Sequence, residues 1–217
     1  TNDILDMKQI IEDLNWRYAT KQFDASKKLT NEQLDVIKDS LRLTPSAYGI
    51  QPLKFIFVSS PALREQIKEI AFNQGQVVDA SHLLIICSYT SIDESYIDAH
   101  VELVTETRNT PTERAAGFSE FLKKNILSMS DSDVEPWNVR QAYIALGQLL
   151  HTCASIRVDA TPMEGFAPDA VDAVLGLKEL GLHSAVALTL GYRDAANDYL
   201  VNAKKVRRTH DKLVIKK

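Results

Sequence analysis

Two cations four residues apart mark a stretch that runs from Asn15 to Asp24. Arg17 and Lys21 flank the hydroxyl of Thr20, and aromatic side chains lie on either side of them. A guanidinium can hold a phosphate with two parallel hydrogen bonds while a lysine acts as a point charge beside it. The stretch is therefore typical of a site for an anion that carries an aromatic body, although charges of this kind also occur on ordinary solvated surfaces.

A second group of cations lies near the other end of the chain, at Lys204, Lys205, Arg207 and Arg208. The chain as a whole is acidic, because 25 Lys and Arg stand against 29 Asp and Glu in 217 residues, for a net charge of −4. Nucleic-acid-binding proteins usually show a basic excess, so this balance argues against a nucleic-acid partner. Local basic groups on an acidic chain favour a small anionic ligand instead.

Several common catalytic motifs are missing from the sequence. Neither G-x-G-x-x-G nor the P-loop pattern occurs, so a nicotinamide would have to bind without them. The five histidines are scattered and lack the spacing of metal ligands, so we expect no metal site. No G-x-S-x-G occurs either, which argues against a serine hydrolase.

The two cysteines and the overall composition indicate a reducing compartment. Hydrophobic residues make up 45% of the chain, which is ordinary for a globular protein. Cys87 and Cys153 lie in apolar runs without a C-x-x-C pair, so we predict two buried thiols. No stretch reaches the ~18 apolar residues of a membrane span, and the sequence opens without a signal-like segment. We therefore expect a cytoplasmic protein with no membrane partner.

The elements that must position the cations follow from apolar spacing and capping signals. Thr30-Asn31-Glu32-Gln33 is a capping box, and Ser60-Pro61 combines an N-cap with proline at the first helical position. The continuous apolar run 83–89 is typical of a strand buried on both faces. The predicted elements are a helix over 4–14, a helix from Thr30 to Thr44, a strand over 53–58, a helix over 62–72 and a strand over 83–89.

The second half of the chain is mostly helical in its pattern. Ser91-x-x-Glu94 and Thr110-Pro111-x-Glu113 read as two further capping boxes, and a polar stretch follows at 128–134. We predict one α+β domain over residues 1–217, with a small sheet flanked by many helices. The remaining predicted elements are a long apolar helix over 137–156, an extended piece over 158–161, a helix over 168–177, a strand over 184–192 and a β-like tail over 212–217.

Five segments together resemble the FMN-dependent nitroreductase family, in order and in spacing across nearly the whole chain. They are Arg17–Asp24, Thr44–Pro52, Asp79–His82, Pro162–Phe166 and Lys205–Arg207. The branch of oxygen-insensitive bacterial NAD(P)H nitroreductases is the most similar. Taken alone, Pro162–Phe166 also fits a plain turn. Asp79–His82 alone fits the start of a buried strand, with the polar ring atoms of His82 hydrogen-bonded inside the protein. The resemblance implies a nitroreductase-like fold, with a small, mostly antiparallel mixed sheet and a long central helix at a homodimer interface.

The resemblance also implies two FMN sites at that interface, each built from both subunits. Arg17, Lys205 and Arg207 would hold the phosphate, Lys21 would lie near the pyrimidine, and Glu164 would support the reaction beside flavin N5. Residues 45–47 would come from the partner subunit. The implied FMN contacts are Arg17, Tyr18, Ala19, Thr20, Lys21, Pro45, Ser46, Ala47, Gln51, Asn73, Gln76, Pro162, Met163, Glu164, Gly165, Lys205 and Arg207.

Three positions depart from the family pattern. The family usually has histidine at Tyr18 and serine at Ala19, so Ala19 can contribute only through its backbone. The most similar members carry lysine at Gln76, which places a full charge near flavin N1 and O2, whereas glutamine offers only a dipole. Tyr48, Phe118 and Phe121 are implied substrate residues, although the helical spacing of the two phenylalanines also fits an ordinary core.

The implied reaction is a two-step exchange in which NAD(P)H gives a hydride to flavin N5 and leaves, and an acceptor then takes its place. Nitroaromatics and quinones are the implied acceptors, and the cofactor carries the hard chemistry, so no catalytic side chain is expected. Alternatives on the same scaffold are a flavin or dihydropteridine reductase, flavin cleavage and reductive dehalogenation. A non-catalytic FMN carrier and a helical module that binds an acidic partner through its basic groups are the other two alternatives.

Overall fold

A four-stranded sheet forms the centre of the computed structural model, which describes residues 2–217, with side chains from Met7 onwards. The strand order is β1-β2-β4-β3, and all three pairings are antiparallel. With helices packed on both faces, this architecture confirms the predicted α+β class and its small sheet. The strands are β1 (Leu53–Val58), β2 (His82–Tyr89), β3 (Asp159–Met163) and β4 (Leu182–Gly191).

The helices surround this sheet and confirm most of the predicted segments. Thr30 and Gln33 form the predicted capping box, with each side chain accepting from the other residue's backbone N–H. Ile4, predicted for the apolar face of the first helix, lies outside the described side chains. The helices are α1 (Asn2–Trp16), α2 (Asn31–Arg42), α3 (Pro61–Ile70), α4 (Gln76–Asp79), α5 (Glu94–Arg108), α6 (Thr112–Ile126), α7 (Asp131–Ser155), α8 (Pro168–Leu175) and α9 (His210–Leu213).

Strand β2 separates the two main parts of the core. Residues 83–87 are all 0% exposed, which confirms the prediction of a strand buried on both faces. Leu84 and Ile86 pack with residues of α2 and α7 on one side, whereas Leu83 and Ile85 pack with residues of α3 and α8 on the other. The sheet is therefore fixed between two helical layers, and its strand ends are held in place for the loops that follow them.

Helix α7 begins six residues before the predicted start at Trp137. The polar stretch that interrupts the apolar pattern contains the first turns of the helix, where Asp131 and Asp133 complement the helix dipole, and Pro136 lies inside the helix. α7 packs on the sheet, α2 and α1. Tyr143 and Ile144 remain 39% and 44% exposed, so part of the helix has no partner within the described chain.

Two of the predicted helix caps are wrong, although the helices they precede are present. Asp93, rather than Ser91, caps α5, because its carboxylate accepts from Tyr96 N at 2.9 Å. At the start of α6 the cap position is Pro111, and no side chain caps the helix. The two helices cover a third apolar cluster that includes Ile97 and Leu122.

The predicted β-like tail over 212–217 is also wrong. Residues 210–213 form the short helix α9, in which His210 O accepts from Val214 N at 2.8 Å, and the residues that follow form no strand. Val214 and Ile215 are 57% and 84% exposed. A strand needs a neighbouring edge to pair with, and no edge within the described chain pairs with this tail.

Both cysteines are free and buried, as predicted. Burial, followed by the charge of Asp172, raises the pKa of Cys87 to about 12, and burial followed by Asp159 does the same for Cys153. The thiols therefore stay protonated and act as small apolar groups at neutral pH. Across the described residues, none of the helices combines the length and the apolar character needed to cross a membrane.

Candidate functional site

The cationic loop, residues 17–22, meets the second basic segment although 188 residues separate Arg17 from Lys205. The Lys205 ammonium donates to the Arg17 carbonyl. Burial, and then the charge of Arg207, lowers the pKa of Arg17. Burial lowers the pKa of Lys205 as well, with further contributions from Arg17 and Arg207. The three residues therefore form one cluster of positive charge, called the anion site below.

The cations of the anion site have no paired carboxylate in the described part of the chain. Among the side chains from residue 7 onwards, no carboxylate forms an ion pair with Arg17, Lys205 or Arg207. The Nε of Arg17 is buried and has no hydrogen-bond partner among the described residues. A buried donor without an acceptor costs about 1–3 kcal/mol, and like charges held together repel each other. An anion bound at this place would relieve both penalties.

The cationic loop lies along strand β3. Thr20 is fully buried, its hydroxyl donates to Asp159 Oδ1 at 3.3 Å, and its carbonyl accepts from Thr161 Oγ1 at 2.6 Å. The Thr20 hydroxyl is thus already hydrogen-bonded within the protein, and the half-buried Ala19 beside it presents only backbone polar groups. Through these bonds β3 fixes the path of the loop.

Arg193 supports the aromatic side chains at the start of the loop. Its guanidinium carbon lies 4.2 Å from the ring centroid of Trp16 and 4.5 Å from that of Tyr18, and its Nη2 lies 2.6 Å from Asp159 Oδ1. Stacked guanidinium and aromatic groups attract each other. Burial is the main cause that raises the pKa of Tyr18 to about 12. Tyr18 is therefore neutral at physiological pH, and its ring is held in place beside the cationic loop.

Glu164 follows the last residue of β3 and is exposed. Its Oε1 accepts from the hydroxyl of Tyr143, on α7, at 2.5 Å. Thr161, which contacts the cationic loop, lies three residues earlier, and a strand advances about 3.3 Å per residue. Glu164 therefore lies within about 10 Å of Thr161 along the strand, and β3 brings the loop and Glu164 into one region.

An amide relay holds the next residue, Gly165. Gln76 Nε2 donates to Gln74 Oε1 at 2.9 Å, and Gln74 Nε2 donates to the Gly165 carbonyl, also at 2.9 Å. A Cβ at position 165 would come within 3.2 Å of Gln74 Nε2, so glycine permits this approach. Gln76 is 5% exposed. Its amide nitrogen is thus used to support the loop after β3.

The other residues expected on this side divide between surface and core. Asn73 is exposed and adopts a left-handed conformation with φ of 53°. Met163 is only 5% exposed and its side chain belongs to the core, whereas Pro162 is half-buried in β3. Of these three residues, Asn73 has the side chain most accessible to a ligand.

The loop 45–51 contacts a different face of α7. Ala47 N donates to Gln141 Oε1 at 2.8 Å, and within the loop Ser46 Oγ accepts from Gln51 N at 2.9 Å. Gln141 and Tyr143 are two residues apart, or about 200° around the helix axis. The chain therefore places Ala47 and Glu164 on opposite faces of α7. Pro45 is exposed beside Ser46.

The aromatic residues expected at the substrate face form a cluster beside this loop. Tyr48 and Phe121 meet edge to face with ring centroids 5.7 Å apart, and they are 44% and 48% exposed. Phe118 is partly buried against the third apolar cluster and lies 6.2 Å from the His100 ring centroid. Phe118 thus has the core environment that its spacing allowed, whereas Tyr48 and Phe121 present apolar surface.

Sequence reasoning missed several residues that hold these groups. Asp198, Tyr143 and Gln74 each form a long-range hydrogen bond that fixes an expected site residue. None of them lies in a motif, and their partners are 177, 21 and 91 residues away in sequence. Only a signal from paired positions across many related sequences would have pointed to them.

Comparison with known proteins identifies the family of this chain. The family model described as Nitroreductase family matches residues 14–192. The chain is 32% identical over 213 residues to the Major NAD(P)H-flavin oxidoreductase of Aliivibrio fischeri, covering 94% of this chain and 97% of the relative. It is 33% identical over 201 residues to the Oxygen-insensitive NAD(P)H nitroreductase of Salmonella typhimurium, covering 88% and 91%.

A solved structure shares the fold. The structure from Exiguobacterium sibiricum, determined in complex with FMN, superposes with a TM-score of 0.83 at 18% identity and covers 96% of this chain and 97% of that one. At this level of identity the similarity establishes the fold, and the family model and the two relatives establish the membership. The chain belongs to the nitroreductase family.

Proposed function

We propose that this chain is an FMN-dependent oxidoreductase that takes reducing equivalents from NAD(P)H and passes them to nitroaromatics or quinones by a ping-pong exchange. The carrying observation is the anion site, where three cations from distant segments converge and where, among residues 7–217, they form no ion pair and Arg17 Nε has no hydrogen-bond partner. A flavin mononucleotide phosphate matches this site in charge and in hydrogen-bonding capacity. The names of the two relatives, which refer to NAD(P)H and to flavin, support the same assignment.

The rest of the cofactor would extend from the phosphate along the cationic loop toward the end of β3. Lys21 would lie by the pyrimidine, and the backbone of Glu164 and Gly165 would lie by the ring edge, with Asn73 on the same side. A bound FMN supplies hydride transfer through its N5 atom. The protein's part is to hold the phosphate, to place donors at the ring edge and to leave one ring face open to both substrates in turn.

The partner subunit would complete this site. Within one chain, Ala47 and Glu164 lie on opposite faces of α7, so loop 45–51 of one subunit is free to cover the site of a second subunit. The exposed Tyr143 and Ile144 on α7 offer apolar surface for such contact. We propose a homodimer of single-domain chains spanning residues 1–217, with α7 at the interface and Tyr48 and Phe121 over the substrate face. The protonated, buried thiols support a cytoplasmic location.

The purified protein provides the direct test. We expect a yellow protein whose bands are those of FMN, released on denaturation, and NADH or NADPH oxidation on addition of a nitroaromatic or a quinone. Double-reciprocal plots at several acceptor concentrations should give parallel lines, as a ping-pong exchange requires. A protein without flavin that does not bind added FMN would overturn the assignment, and intersecting lines would overturn the exchange mechanism.

A flavin reductase is the second candidate, favoured by the name of the Aliivibrio fischeri relative. It predicts faster NAD(P)H oxidation with free FMN or riboflavin as acceptor than with quinones or nitroaromatics. Dihydropteridine as the preferred acceptor would indicate the pteridine alternative. Stoichiometric FMN with no NAD(P)H oxidation by any acceptor would indicate a carrier.

A further inference from the structure

The anion site joins two segments that repel each other. Arg17 belongs to the cationic loop and Lys205 and Arg207 to the later segment, and their charges act on one another strongly enough to lower the pKa of Arg17 and Lys205, after the larger effect of burial. Before an anion binds, this repulsion favours separation of the two segments. Contacts within the protein must therefore hold them together.

Asp198 supplies several of these contacts through a single carboxylate. Its Oδ2 accepts from Lys21 N at 2.8 Å, from Gln22 N at 3.2 Å and from the Tyr18 hydroxyl at 3.1 Å. Its Oδ1 accepts from Leu200 N at 2.9 Å, within the segment that leads to Lys205. The residue is 3% exposed. One buried side chain thus ties the cationic loop to the later segment.

The charge of Asp198 is not used in an ion pair with any side chain of residues 7–217. Burial by itself raises the pKa of this carboxyl, but the donors from Leu200, Lys21, Gln22 and Tyr18 outweigh it and lower the pKa below its usual range. The carboxylate is therefore ionised at neutral pH and accepts from every donor named here.

We propose that Asp198 is the positioning residue of the anion site, which sets the spacing between the cationic loop and the Lys205 segment so that a flavin phosphate meets all three cations. This inference rests on the proposed function. It predicts a selective effect, because the part of a flavin that depends on this spacing is the phosphate. Loss of Asp198 should therefore weaken FMN binding while binding of riboflavin, which lacks the phosphate, changes little.

Other bonds keep the two segments attached when Asp198 is replaced. Asp24 N donates to Tyr192 O at 2.8 Å, Asp194 N donates to Gln22 O at 2.9 Å, and Phe23 pairs with Arg193 in an isolated bridge. These bonds lie on the side of the loop away from Arg17. An Asp198 variant is therefore expected to fold, with its cationic loop misplaced relative to Lys205.

The experiment compares flavin binding by apoprotein from the wild type, Asp198→Ala and Asp198→Asn. Dissociation constants for FMN and for riboflavin are measured by quenching of flavin fluorescence. We expect Asp198→Ala to lower FMN affinity about tenfold or more, as loss of one charge-assisted contact to the phosphate would, with riboflavin affinity changed less than about twofold. Asp198→Asn keeps one acceptor oxygen but turns an NH₂ toward N–H donors, so its FMN affinity should fall in between.

Asp194→Ala is the matched control. Its carboxylate lies in the same segment, but among the described residues it bonds only locally, to Ala196 N at 3.2 Å and to Asn197 Nδ2 at 2.6 Å, so the ratio of FMN to riboflavin affinity should stay at the wild-type value. A second readout uses no flavin. Inorganic phosphate should raise the Tm of wild-type apoprotein and raise that of Asp198→Ala clearly less.

The outcomes separate this inference from the proposed function. A wild type that does not prefer FMN to riboflavin overturns both. A wild type with that preference and an Asp198→Ala variant with an unchanged ratio, or with equal losses for both flavins, overturns only the role of Asp198. If Asp198→Ala does not fold, Tyr18→Phe serves instead, because it removes one of the three donors to Asp198 Oδ2. It should lower the ratio of FMN to riboflavin affinity by a few fold, and an unchanged ratio would refute the positioning role of Asp198.

Discussion

Lys21 and Gln76 are both expected near the flavin, but only Lys21 brings a full positive charge. The amide nitrogen of Gln76 is already used, because it donates to Gln74 Oε1 at 2.9 Å within a buried relay. A charge placed near a group that becomes negative on reduction stabilises the reduced form more than a dipole does. Of these two residues, Lys21 is therefore the candidate for setting the flavin potential by charge.

This difference predicts an order of effects. Lys21→Met should lower the two-electron potential of bound flavin by about 30 mV or more, which equals a tenfold loss of preference for the reduced form. Gln76→Leu should lower it less. A redox titration of the holoprotein against a reference dye measures both, and the reverse order would show that Gln76 is the stronger influence.

The Tyr143 hydroxyl and the Glu164 carboxylate form a pair whose ionisation can be followed. Burial first, and then the hydrogen bond and charge of Glu164, raise the pKa of Tyr143 to about 12. Because the raised pKa favours the neutral phenol in the folded protein, this contribution to stability is complete below the ordinary pKa of about 10 and is lost as pH rises through about 12.

Glu164→Gln should move the pKa of Tyr143 down, toward but not to the ordinary value, since burial remains. The near-ultraviolet absorbance of tyrosinate is recorded during a pH titration of this variant and of the wild type. The same titration of Tyr143→Phe is subtracted to isolate the signal of Tyr143. Tyr18 is an internal control, because its raised pKa has burial as the main cause and does not involve Glu164. An unchanged Tyr143 titration would mean that the pair does not persist in solution.

Residues with a local signal could be predicted, and residues with a distant partner could not. Arg17, Lys205 and Arg207 were identified from the sequence as members of recognisable segments, and the structure brings them together. Asp198 lies in a polar stretch, Asn197 to Tyr199, that resembles any exposed turn, and its role depends on donors 176 to 180 positions earlier. Composition and periodicity contain no information about such a contact.

At the scale of elements, α2 offers a direct test of the capping argument. Thr30 Oγ1 accepts from Gln33 N at 3.1 Å and the Gln33 side chain accepts from Thr30 N at 3.0 Å. Thr30→Ala should lower the free energy of unfolding by about 1 kcal/mol, the usual cost of losing such a cap. Urea unfolding followed by circular dichroism gives this value.

Ser130→Ala is the comparison for that variant. Ser130 is also at an N-cap position, before α7, but its side chain accepts no helix N–H and instead donates to Asp133 Oδ2 at 2.5 Å. Replacement of Ser130 should lower the free energy of unfolding clearly less than replacement of Thr30. If the two variants lost equal amounts of unfolding free energy, the capping box of α2 would contribute no stability of its own.

The sequence predicted elements well where their signals were local. The capping box of α2, the Ser60-Pro61 start of α3 and the buried strand β2 all agree with the structure. Errors occurred where two signals competed. Ser91 and Asp93 are both residue types that cap helices, and Ser91 also has Glu94 at capping-box spacing, but only the folded chain selects Asp93. The start of α7 was missed because Pro136 and its acidic neighbours interrupt the apolar pattern.

For the whole molecule, the proposal of a homodimer rests on the exposed side chains of Tyr143 and Ile144 on α7. Ile144 is 44% exposed although it lies in the middle of α7, a 25-residue helix that contributes nine buried residues. Burying such a side chain at an interface contributes about 1.5–3 kcal/mol. Ile144→Glu should therefore weaken the dimer about tenfold or more and reduce FMN binding at the same time.

Sedimentation over a range of concentrations measures the first effect and flavin fluorescence the second. Leu180→Glu is the control, because Leu180 is also exposed, at 60%, but belongs to the turn before β4 and not to α7. It should leave both assembly and FMN binding unchanged. An Ile144→Glu protein that sediments as the wild type does, with normal FMN affinity, would place the interface elsewhere.

The meeting of Arg17 with Lys205 has a consequence for biosynthesis. A ribosome adds about 5–20 residues per second, so roughly 10 to 40 seconds pass between the synthesis of the two residues, which are 188 positions apart. A nascent chain carries the first cation long before the other two exist. If the cluster holds the phosphate as proposed, that pocket is absent throughout most of translation, and the vitamin-derived cofactor loads only after residue 207 has left the exit tunnel.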